Sequence, residues 1–395
     1  MIIAKVDCCG LLQKPTQMKT NYHIFSTLTL MLTLSFGLQA QQFSRKHIKV
    51  AYNEVASRDQ SKKNFTYKNL RLYPIKASKR FLRDTKNMGK YTPLKEALKR
   101  KKVSITEQSA GSNNVNRRQV RTRRRVRRNR TNTNRNQNNN PQQQQVISNL
   151  NVSQVQRYGG GSSASVNNLY IENTSKDTLY IMAGEIVQGG KQDRVIAKDM
   201  VIPPNSGKIN LSVFCVEKGR WRYKKTKNRD SFDGYYGVSS LALRKVVDTK
   251  QKQGEVWKEV DRSNNKNMVS SGTSAYTQQK NNLKFKGEYA KYVAFFKNKF
   301  KGKNDVIGVI VASGNKVVGC DMFASPQLFQ TQYQNLLGSY INEAITDGAP
   351  VNVQETQVEQ FMAELLDKEL KNEKALKKRG KVFKSNGRKL HVSKY

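Results

Sequence analysis

The chain has 395 residues, with 72 Lys and Arg residues against 29 Asp and Glu residues, and a formal net charge of +43. Hydrophobic residues make up 36% of the chain, which is too few for packed core along its whole length. The charge favours anionic partners, but it does not choose among nucleic acid, an anionic membrane surface and acidic envelope polymers.

The N-terminal residues predict export from the cytoplasm. Met18 to Ala40 combine a short start with Lys19, an apolar run from Ile24 to Leu38, and a small residue before Gln41. This layout is typical of a signal peptide cleaved near Ala40 and Gln41. The apolar run is shorter than the roughly 20 residues of a membrane-spanning helix. We therefore expect that residues 1–40 are removed and that no transmembrane segment remains after cleavage. The mature protein is expected to be periplasmic or extracellular.

The mature chain is predicted to hold a polar arm at 41–63, a single mixed α/β domain at 64–373 and a basic, frayed tail at 374–395. Apolar alternation predicts strands, and apolar spacing of three and four predicts helices. Strands are expected near 69–75 (an edge strand, because of Pro74), 103–107, 169–173, 178–182, 194–196, 200–204 and 209–216. Helices are expected near 92–98, 238–250, 254–260 and 289–296. A hairpin is expected at 306–323, followed by two C-terminal helices at 325–344 and 358–370. The predicted class is α+β, with a β-rich core, two C-terminal packing helices and one long disordered loop insertion.

That insertion covers residues 109–165 and is rich in Arg, Asn and Gln. Its ten arginines are Arg117, Arg118, Arg121, Arg123, Arg124, Arg125, Arg127, Arg128, Arg130 and Arg135. The segment has almost no large hydrophobic residues, so it cannot bury enough surface to offset the entropy of ordering. Guanidinium groups bind phosphates and carboxylates, which makes these residues candidates for polyanion binding. The alternative is a merely solvated charge run. The tract has no interleaved aromatic residues, so base stacking of the kind found in single-strand binders is not indicated.

The cysteines and histidines of the mature chain are few. Cys215 and Cys320 can form a disulfide in an oxidising compartment, or they can remain two separate buried thiols. His47 and His391 lie in polar terminal segments, so the sequence predicts neither a metal site nor a cofactor. No serine-hydrolase elbow, phosphate-binding loop or zinc-protease motif is present either.

Three polar motifs stand where predicted strands end, at 184–194, 215–221 and 319–326. Strand-end loops often gather at one end of a sheet, so we expect their side chains to share one neighbourhood, with the indole as a wall. The candidate residues are Glu185, Gln192, Arg194, Glu217, Arg220, Trp221 and Asp321. They can form a ligand pocket or an acid–base site. The other interpretation is a buried ion-pair network, for example Glu217 with Arg194 or Arg220.

These motifs resemble those of the ARG-and-rhodanese-phosphatase-superfamily-associated domain family. The similar patterns are G-E-x-x-x-G-x-K-Q-x-R from Gly184, C-V-E-x-G-R-W from Cys215, and a hairpin ending in G-x-D-x-F from Gly319. The resemblance covers about residues 65–110 and 165–346 and implies no established activity. It also implies that the arginine-rich segment is a loop insertion within one domain.

Two functions follow from these observations, and the sequence leaves enzymatic activity undecided. The first is a non-enzymatic binding or envelope-associated module whose insertion contacts anionic envelope material, acidic polymer or extracellular nucleic acid. The second is a carboxylate-based hydrolase or transferase acting at a Glu/Asp/Arg pocket. Carboxylates about 5–10 Å apart across an open cleft would favour the enzyme, and carboxylates closed onto arginines would favour the first function. The sequence predicts neither the ligand nor the oligomeric state.

Overall fold

The computed structural model of the chain describes residues 43–52, 65–108, 167–223 and 229–395. The predicted signal peptide, most of the predicted polar arm and the arginine-rich insertion lie outside the described residues. Within the described ranges, no helix has both the length and the apolar composition needed to cross a bilayer.

The described residues form sixteen strands and eight α-helices in an α+β fold, as predicted. The strands are β1 (Ile48–Val50), β2 (Thr66–Tyr67), β3 (Leu70–Ala77), β4 (Thr92–Pro93), β5 (Val103–Glu107), β6 (Asn168–Asn173), β7 (Leu179–Ile181), β8 (Glu185–Gln188), β9 (Arg194–Ile196), β10 (Met200–Ile202), β11 (Ile209–Cys215), β12 (Gly234–Val238), β13 (Val306–Ser313), β14 (Lys316–Phe323), β15 (Gly380–Ser385) and β16 (Arg388–Lys394). The helices are α1 (Lys79–Asp84), α2 (Leu94–Lys99), α3 (Leu241–Thr249), α4 (Gln253–Lys266), α5 (Leu283–Phe296), α6 (Pro326–Thr346), α7 (Glu355–Ala363) and α8 (Glu373–Leu376), with a 3₁₀ turn at Tyr276–Asn281 and a π-helical turn at Glu364–Glu369.

The largest sheet is built around the predicted β13–β14 hairpin. Its strand order is β1-β3-β13-β14-β16-β15, with β2 also paired to β3. Every residue of β13 is buried, as expected for a central strand covered on both faces. Helix α6 packs on this sheet, and Ser325 caps its N-terminus by accepting a hydrogen bond from the Leu328 backbone amide. This helix and α7 are the two predicted C-terminal packing helices.

The described residues also form two smaller sheets. The six-stranded one carries the first two polar motifs, and the third motif lies in β14 of the largest sheet. One has the order β12-β8-β9-β11-β6-β5, and the other has the order β10-β7-β4. Strands β6 and β7, which follow each other in sequence, lie in different sheets. Strand β4 pairs with β7 in parallel, and the other strand pairings are antiparallel.

The arginine-rich insertion joins two strands that pair with each other. Strands β5 and β6 are antiparallel neighbours, with Glu107 opposite Leu169. The described residues on either side of the insertion are therefore already close together. Such an arrangement is that of a long connection within one sheet, and loop closure costs little more as such a connection grows.

Two sequence-based expectations were wrong. Residues 374–395 do not form a frayed tail, because β15 and β16 belong to the largest sheet and β16 pairs with β14. Apolar and polar side chains alternate along 390–393, with Leu390 and Val392 set against His391 and Ser393. This is a strand pattern, and the basic composition of the segment obscured it. Strand β3 is not an edge strand either, since it pairs with β1 and β13 around Pro74, beside a register shift in β13.

Candidate functional site

The first two motifs meet in a buried set of charged and amide side chains, which we call the Arg220 cluster: Gln192, Asp193, Arg194, Glu217 and Arg220. Arg220 is 8% exposed and donates from Nε and Nη2 to the Glu217 carboxylate at 2.8 and 2.6 Å. Its Nη2 also lies 3.2 Å from Asp193 Oδ1. A guanidinium that grips one carboxylate with two parallel hydrogen bonds is held in a fixed orientation.

A glycine turn supplies further acceptors for Arg220. Its guanidinium donates to the carbonyl oxygens of Gly190 at 2.8 Å and Gly189 at 3.3 Å. Gly190 has φ +44°, and a Cβ there would lie 2.5 Å from Glu107 Oε1. This position therefore needs glycine for both its backbone conformation and its close contact. The turn places two carbonyl oxygens against the cation.

Arg194 is fully buried beside Arg220 but has a different anionic neighbour. Its Nη1 donates to the backbone and side-chain oxygens of Gln192 at 3.0 and 3.2 Å, and the Gln192 amide donates to the Glu217 carbonyl at 2.8 Å. Arg194 Nη2 lies 3.9 Å from Glu107 Oε1. Sequence reasoning did not select Glu107, although its place at the end of β5, where the insertion begins, was a usable signal.

Asp321 of the third motif belongs to a different buried set, which we call the His391 network: Tyr180, Asp199, Arg244, Asp321, Lys381, His391 and Ser393. Arg244 of α3 donates from both terminal nitrogens to Asp321, at 3.0 and 2.6 Å. Arg244 is 1% exposed and Asp321 is 0% exposed. The carboxylate is thus closed onto an arginine that sequence reasoning did not select.

His391 lies between two carboxylates at the centre of this network. Its Nδ1 is 2.9 Å from Asp199 Oδ2, and its Nε2 is 3.0 Å from Asp321 Oδ1. Each ring nitrogen thus faces one carboxylate oxygen. The ring also stacks on Phe323 at 4.3 Å between centroids. The expectation that His391 lies in a polar terminal segment was therefore wrong.

The charges around both aspartates keep these groups ionised. Burial alone would raise the pKa of Asp199, but Lys381 and His391 outweigh burial and lower it. Burial would likewise raise the pKa of Asp321, but Arg244 and His391 hold it well below its usual range. Depressed carboxyl pKa values stabilise the fold above the unfolded pKa of about 4, and that contribution is lost as the pH falls below it.

The network includes a serine, a histidine and an aspartate in the order of a catalytic triad. Ser393 Oγ is 3.1 Å from His391 Nε2, and His391 Nδ1 contacts Asp199. However, the Ser393 hydroxyl donates to Asp321 at 2.7 Å, and the serine is 0% exposed. A nucleophile needs both its proton transferred to the base and access to a substrate. The geometry here provides neither, so the arrangement is structural.

Glu185 makes no direct contact with the other predicted site residues. It is fully buried and accepts hydrogen bonds from the Met182 backbone amide and the Tyr235 hydroxyl, both at 2.8 Å. Burial raises the pKa of Glu185 to about 7, against an ordinary value of 4.5. The one-neighbourhood prediction therefore holds for Gln192, Arg194, Glu217 and Arg220, whereas Glu185 and Asp321 occupy separate contacts.

Trp221 does not form the wall of a buried pocket, because it is 48% exposed. The Lys191 ammonium lies 5.3 Å from the ring centroid of Trp221 and 5.1 Å from that of Tyr223. The two cysteines are also apart in the fold. Cys215 ends β11 and Cys320 lies in β14, and both are free and buried.

The arrangement gives no sign of a metal centre. In the parts of the chain that the structure describes, no group of three or more His, Cys, Asp or Glu side chains is placed to hold a metal ion.

Fold and site together define an α+β protein in which Glu217 and Asp321 are closed onto arginines inside the molecule, whereas Glu185 is buried against neutral hydrogen-bond donors. The model of the ARG and rhodanese-phosphatase-superfamily-associated protein domain matches residues 60–393, so the chain belongs to this family. No curated protein and no solved structure was found to be similar to it. The match includes β15 and almost all of β16, in agreement with their place in the largest sheet.

We predict that Arg220 is needed for stability. Replacing it with alanine leaves the buried Glu217 carboxylate without its cation, and breaking such a pair costs roughly 3–5 kcal/mol. Arg222→Ala is the matched control, because Arg222 is exposed and two residues away, so we expect a change within about 0.5 kcal/mol. The free energies of unfolding of both variants are measured by urea denaturation monitored by circular dichroism. Equal stability of the two variants would contradict a structural role for the cluster.

We also predict a pH-dependent effect of Glu185→Gln. Because the folded-state pKa is raised to about 7 from 4.5, the folded protein binds a proton that the unfolded chain has lost, and wild-type stability falls as pH rises between these values. Glutamine stays neutral throughout. The free energy of unfolding of the glutamine variant minus that of wild type should therefore increase from pH 5 to pH 8, by up to about 3 kcal/mol. A difference that does not change with pH would show that Glu185 is ionised throughout.

Proposed function

We propose that this protein is an exported, non-enzymatic binding module that attaches to anionic polymers through its arginine-rich insertion. The observation that carries the proposal is the closure of Glu217 onto Arg220 and of Asp321 onto Arg244. Carboxylates and cations that are buried against one another have no free face for a substrate, which supports a non-enzymatic role. The cationic groups left for partners are therefore those on the surface and those of the insertion.

The position of the insertion supports the same proposal. It leaves the sheet after β5 and returns at β6, and β5 is the edge strand of its sheet. The segment that carries the ten arginines is thus joined at both ends to neighbouring strands at one edge of this sheet. Arginine binds phosphate and carboxylate groups with two parallel hydrogen bonds, which suits anionic envelope material, acidic polymers and extracellular nucleic acid.

A hydrolase or transferase is the second candidate, and Glu185 is the residue that favours it. Its pKa of about 7 is in the range that general acids and bases use. We rank this function second because both Glu185 oxygens accept hydrogen bonds from the protein and the side chain is fully buried.

Export is tested by mass spectrometry of the protein isolated from its native cells. Because a signal peptidase cleaves after small residues, we expect peptides that begin at Gln41 and none from residues 1–40. Recovery of an intact N-terminal segment from the cytoplasm would contradict the proposed location.

Polyanion binding is tested with polyphosphate and polygalacturonate at about 50 and 200 mM salt. We expect a steep loss of affinity with salt, because binding releases counterions in proportion to the charges neutralised. The test variant changes five insertion arginines to glutamine: Arg121, Arg123, Arg124, Arg125 and Arg127. The control variant changes five exposed lysines of the folded part to glutamine: Lys46, Lys79, Lys86, Lys90 and Lys95.

Both variants lose the same net charge, so the comparison isolates the insertion. The arginine variant should bind more weakly and with a smaller salt dependence than the lysine variant. Its melting temperature should stay within a few degrees of wild type. Equal losses of affinity in the two variants would mean that net charge alone, and not the insertion, holds the polymer.

A further inference from the structure

Two strongly exposed apolar side chains lie near each other where two helices end and begin. Met268 and Leu283 are each 83% exposed, the highest values among the large hydrophobic residues of the described ranges. Met268 follows the end of α4, and Leu283 is the first residue of α5. The Asn282 side-chain amide donates to the Asn267 carbonyl at 3.2 Å, so the residues that precede the two side chains are in direct contact. We call Met268 and Leu283 the apolar rim.

The backbone at Met268 has a conformation that glycine normally provides. Asn267 is the C-terminal cap of α4, and Met268 follows it with φ +52°. Many helices end with a residue in this left-handed conformation, and it is usually glycine, because a side chain adds strain there. The exposed methionine side chain gains little packing energy in return. One exposed hydrophobic residue is ordinary on a protein surface, but a strained Met268 held beside Leu283 indicates a surface with a binding role.

Hydrogen bonds fix both segments that carry the apolar rim. The Asn267 side-chain amide donates to the Ser263 carbonyl at 3.0 Å and to the Thr346 hydroxyl at 2.9 Å, which ties the end of α4 to α6. The Asn282 side-chain oxygen accepts a hydrogen bond from the Phe285 backbone amide at 3.1 Å and caps α5. A surface that is ordered before it binds loses little conformational entropy on binding.

A groove of about 310 Å³ opens beside the apolar rim, and Met268 forms part of its wall. Phe285 and Tyr292 of α5 also line this groove, and both are buried. Three lysines complete the lining that matters for charge: Lys68, Lys266 and Lys284. The exposed apolar side chains and the cations are therefore parts of one surface.

Positive charge at this surface exceeds the negative charge that could balance it. Each carboxylate that pairs with a groove lysine is shared with a second cation. The shared pairs are Lys68–Glu288–Lys291, at 2.6 and 2.8 Å, and Lys266–Asp347–Arg262, at 2.6 and 2.7 Å. Lys284 and Lys286 are exposed, and among the described residues they pair with no carboxylate. These two ammonium groups flank the buried Phe285 immediately after Leu283.

The composition of this surface favours a lipid bilayer over a protein as its partner. Protein interfaces are depleted in lysine relative to the rest of the surface, whereas three lysines line this groove. Surfaces that lie on membranes combine apolar side chains, which enter the boundary between headgroups and acyl chains, with lysines that attract anionic headgroups. The apolar rim and its unpaired lysines have this combination.

We propose that the apolar rim docks the protein on an anionic lipid bilayer, with Met268 and Leu283 inserted below the headgroups and Lys284 and Lys286 at the lipid phosphates. The inference goes beyond the proposed polymer binding, because it uses only a surface of the folded part and does not involve the insertion. Two inserted side chains and a few lysines produce reversible attachment and not permanent anchoring.

The binding test uses the full mature chain and vesicles of phosphatidylcholine that contain about 30% phosphatidylglycerol, with pure phosphatidylcholine vesicles for comparison. Co-sedimentation at about 50 and 200 mM salt gives the affinities. We expect the anionic vesicles to bind the chain much more strongly than the neutral ones.

The double variant Met268→Gly, Leu283→Gln removes the apolar rim. It should weaken binding to the anionic vesicles roughly tenfold or more at both salt concentrations, because it removes apolar burial and not charge. Its melting temperature should equal or exceed that of wild type, because glycine adopts the left-handed conformation without strain. Its affinity for polyphosphate should stay within about twofold of wild type, because the two sites are independent.

A matched pair of variants tests the lysines. Lys284→Gln, Lys286→Gln should weaken binding to the anionic vesicles by roughly tenfold at about 50 mM salt and by less at about 200 mM. Lys79→Gln, Lys86→Gln is the control, because it removes the same charge from two exposed positions at α1. The control should stay within about twofold of wild type.

Insertion into the bilayer is measured with a tryptophan probe at position 283. The substitution Leu283→Trp is made together with Trp221→Phe and Trp257→Phe, which removes both native tryptophans. Lipids with bromine atoms on their acyl chains should quench this fluorescence in anionic vesicles, because quenching requires contact below the headgroups.

Three outcomes would overturn the inference. If the rim variant binds anionic vesicles as wild type does and the probe is not quenched, the bilayer contact is made elsewhere, and polyphosphate binding would still support the proposed function. If wild type self-associates in sedimentation equilibrium and the rim variant does not, with equal vesicle binding, the rim is an interface between two copies. If wild type binds no vesicles, the inference fails, and the polyphosphate measurement decides the proposed function separately.

Discussion

The buried ion pair between Arg244 and Asp321 is the interaction on which the rest of the fold depends. Neither group reaches water, so each charge must be compensated inside the protein, and removing one would leave the other at a cost of several kcal/mol. His391 extends the pair to Asp199, and Lys381 and Tyr180 both contact Asp199. These residues come from β7, β14, β15, β16, α3 and the loop before β10, so one network joins the small sheet, the large sheet and a helix.

This constraint explains why the C-terminal strands cannot be a loose tail. Strand β16 delivers His391 and Ser393 to the network, and β15 delivers Lys381. Without them, Asp199 and Asp321 would be buried carboxylates with fewer compensating donors. Polar residues that look like solvent-exposed positions in the sequence are therefore interior, and the charges of the tail are part of the core. The same logic holds at Arg220, where the glycine turn directs two carbonyl groups to the buried cation.

Local patterns predicted much of this architecture, and non-local pairing accounts for what they missed. The β13–β14 hairpin and helix α6 follow from alternation and from the Ser325 cap, which are encoded in adjacent residues. The partners of the motif residues are not encoded locally. Arg244 lies 77 positions from Asp321, and Glu107 lies 84 positions from the Lys191 amide that it binds. A motif indicates that a polar residue has a specific role, but it does not identify the oppositely charged residue that pairs with it. The sequence therefore could not distinguish a ligand pocket from an ion-pair network.

The Arg220 cluster shows how a buried ion pair fixes the course of a short segment. The Arg220 guanidinium is held by Glu217 and Asp193 and by the carbonyl groups of the 189–190 turn. Trp221, the next residue, is 48% exposed, and Gly219 on the other side donates to the Thr273 carbonyl. A buried charge and an exposed indole are therefore adjacent in the sequence, because the guanidinium must keep its acceptors inside the fold and the chain reaches the surface immediately after it. Hydrophobicity alone would assign these two positions the opposite way, since it places the indole inside and the cation outside. The acceptors that hold Arg220 come from 3 to 31 positions away, so they, and not the local composition, decide which of the two side chains is buried.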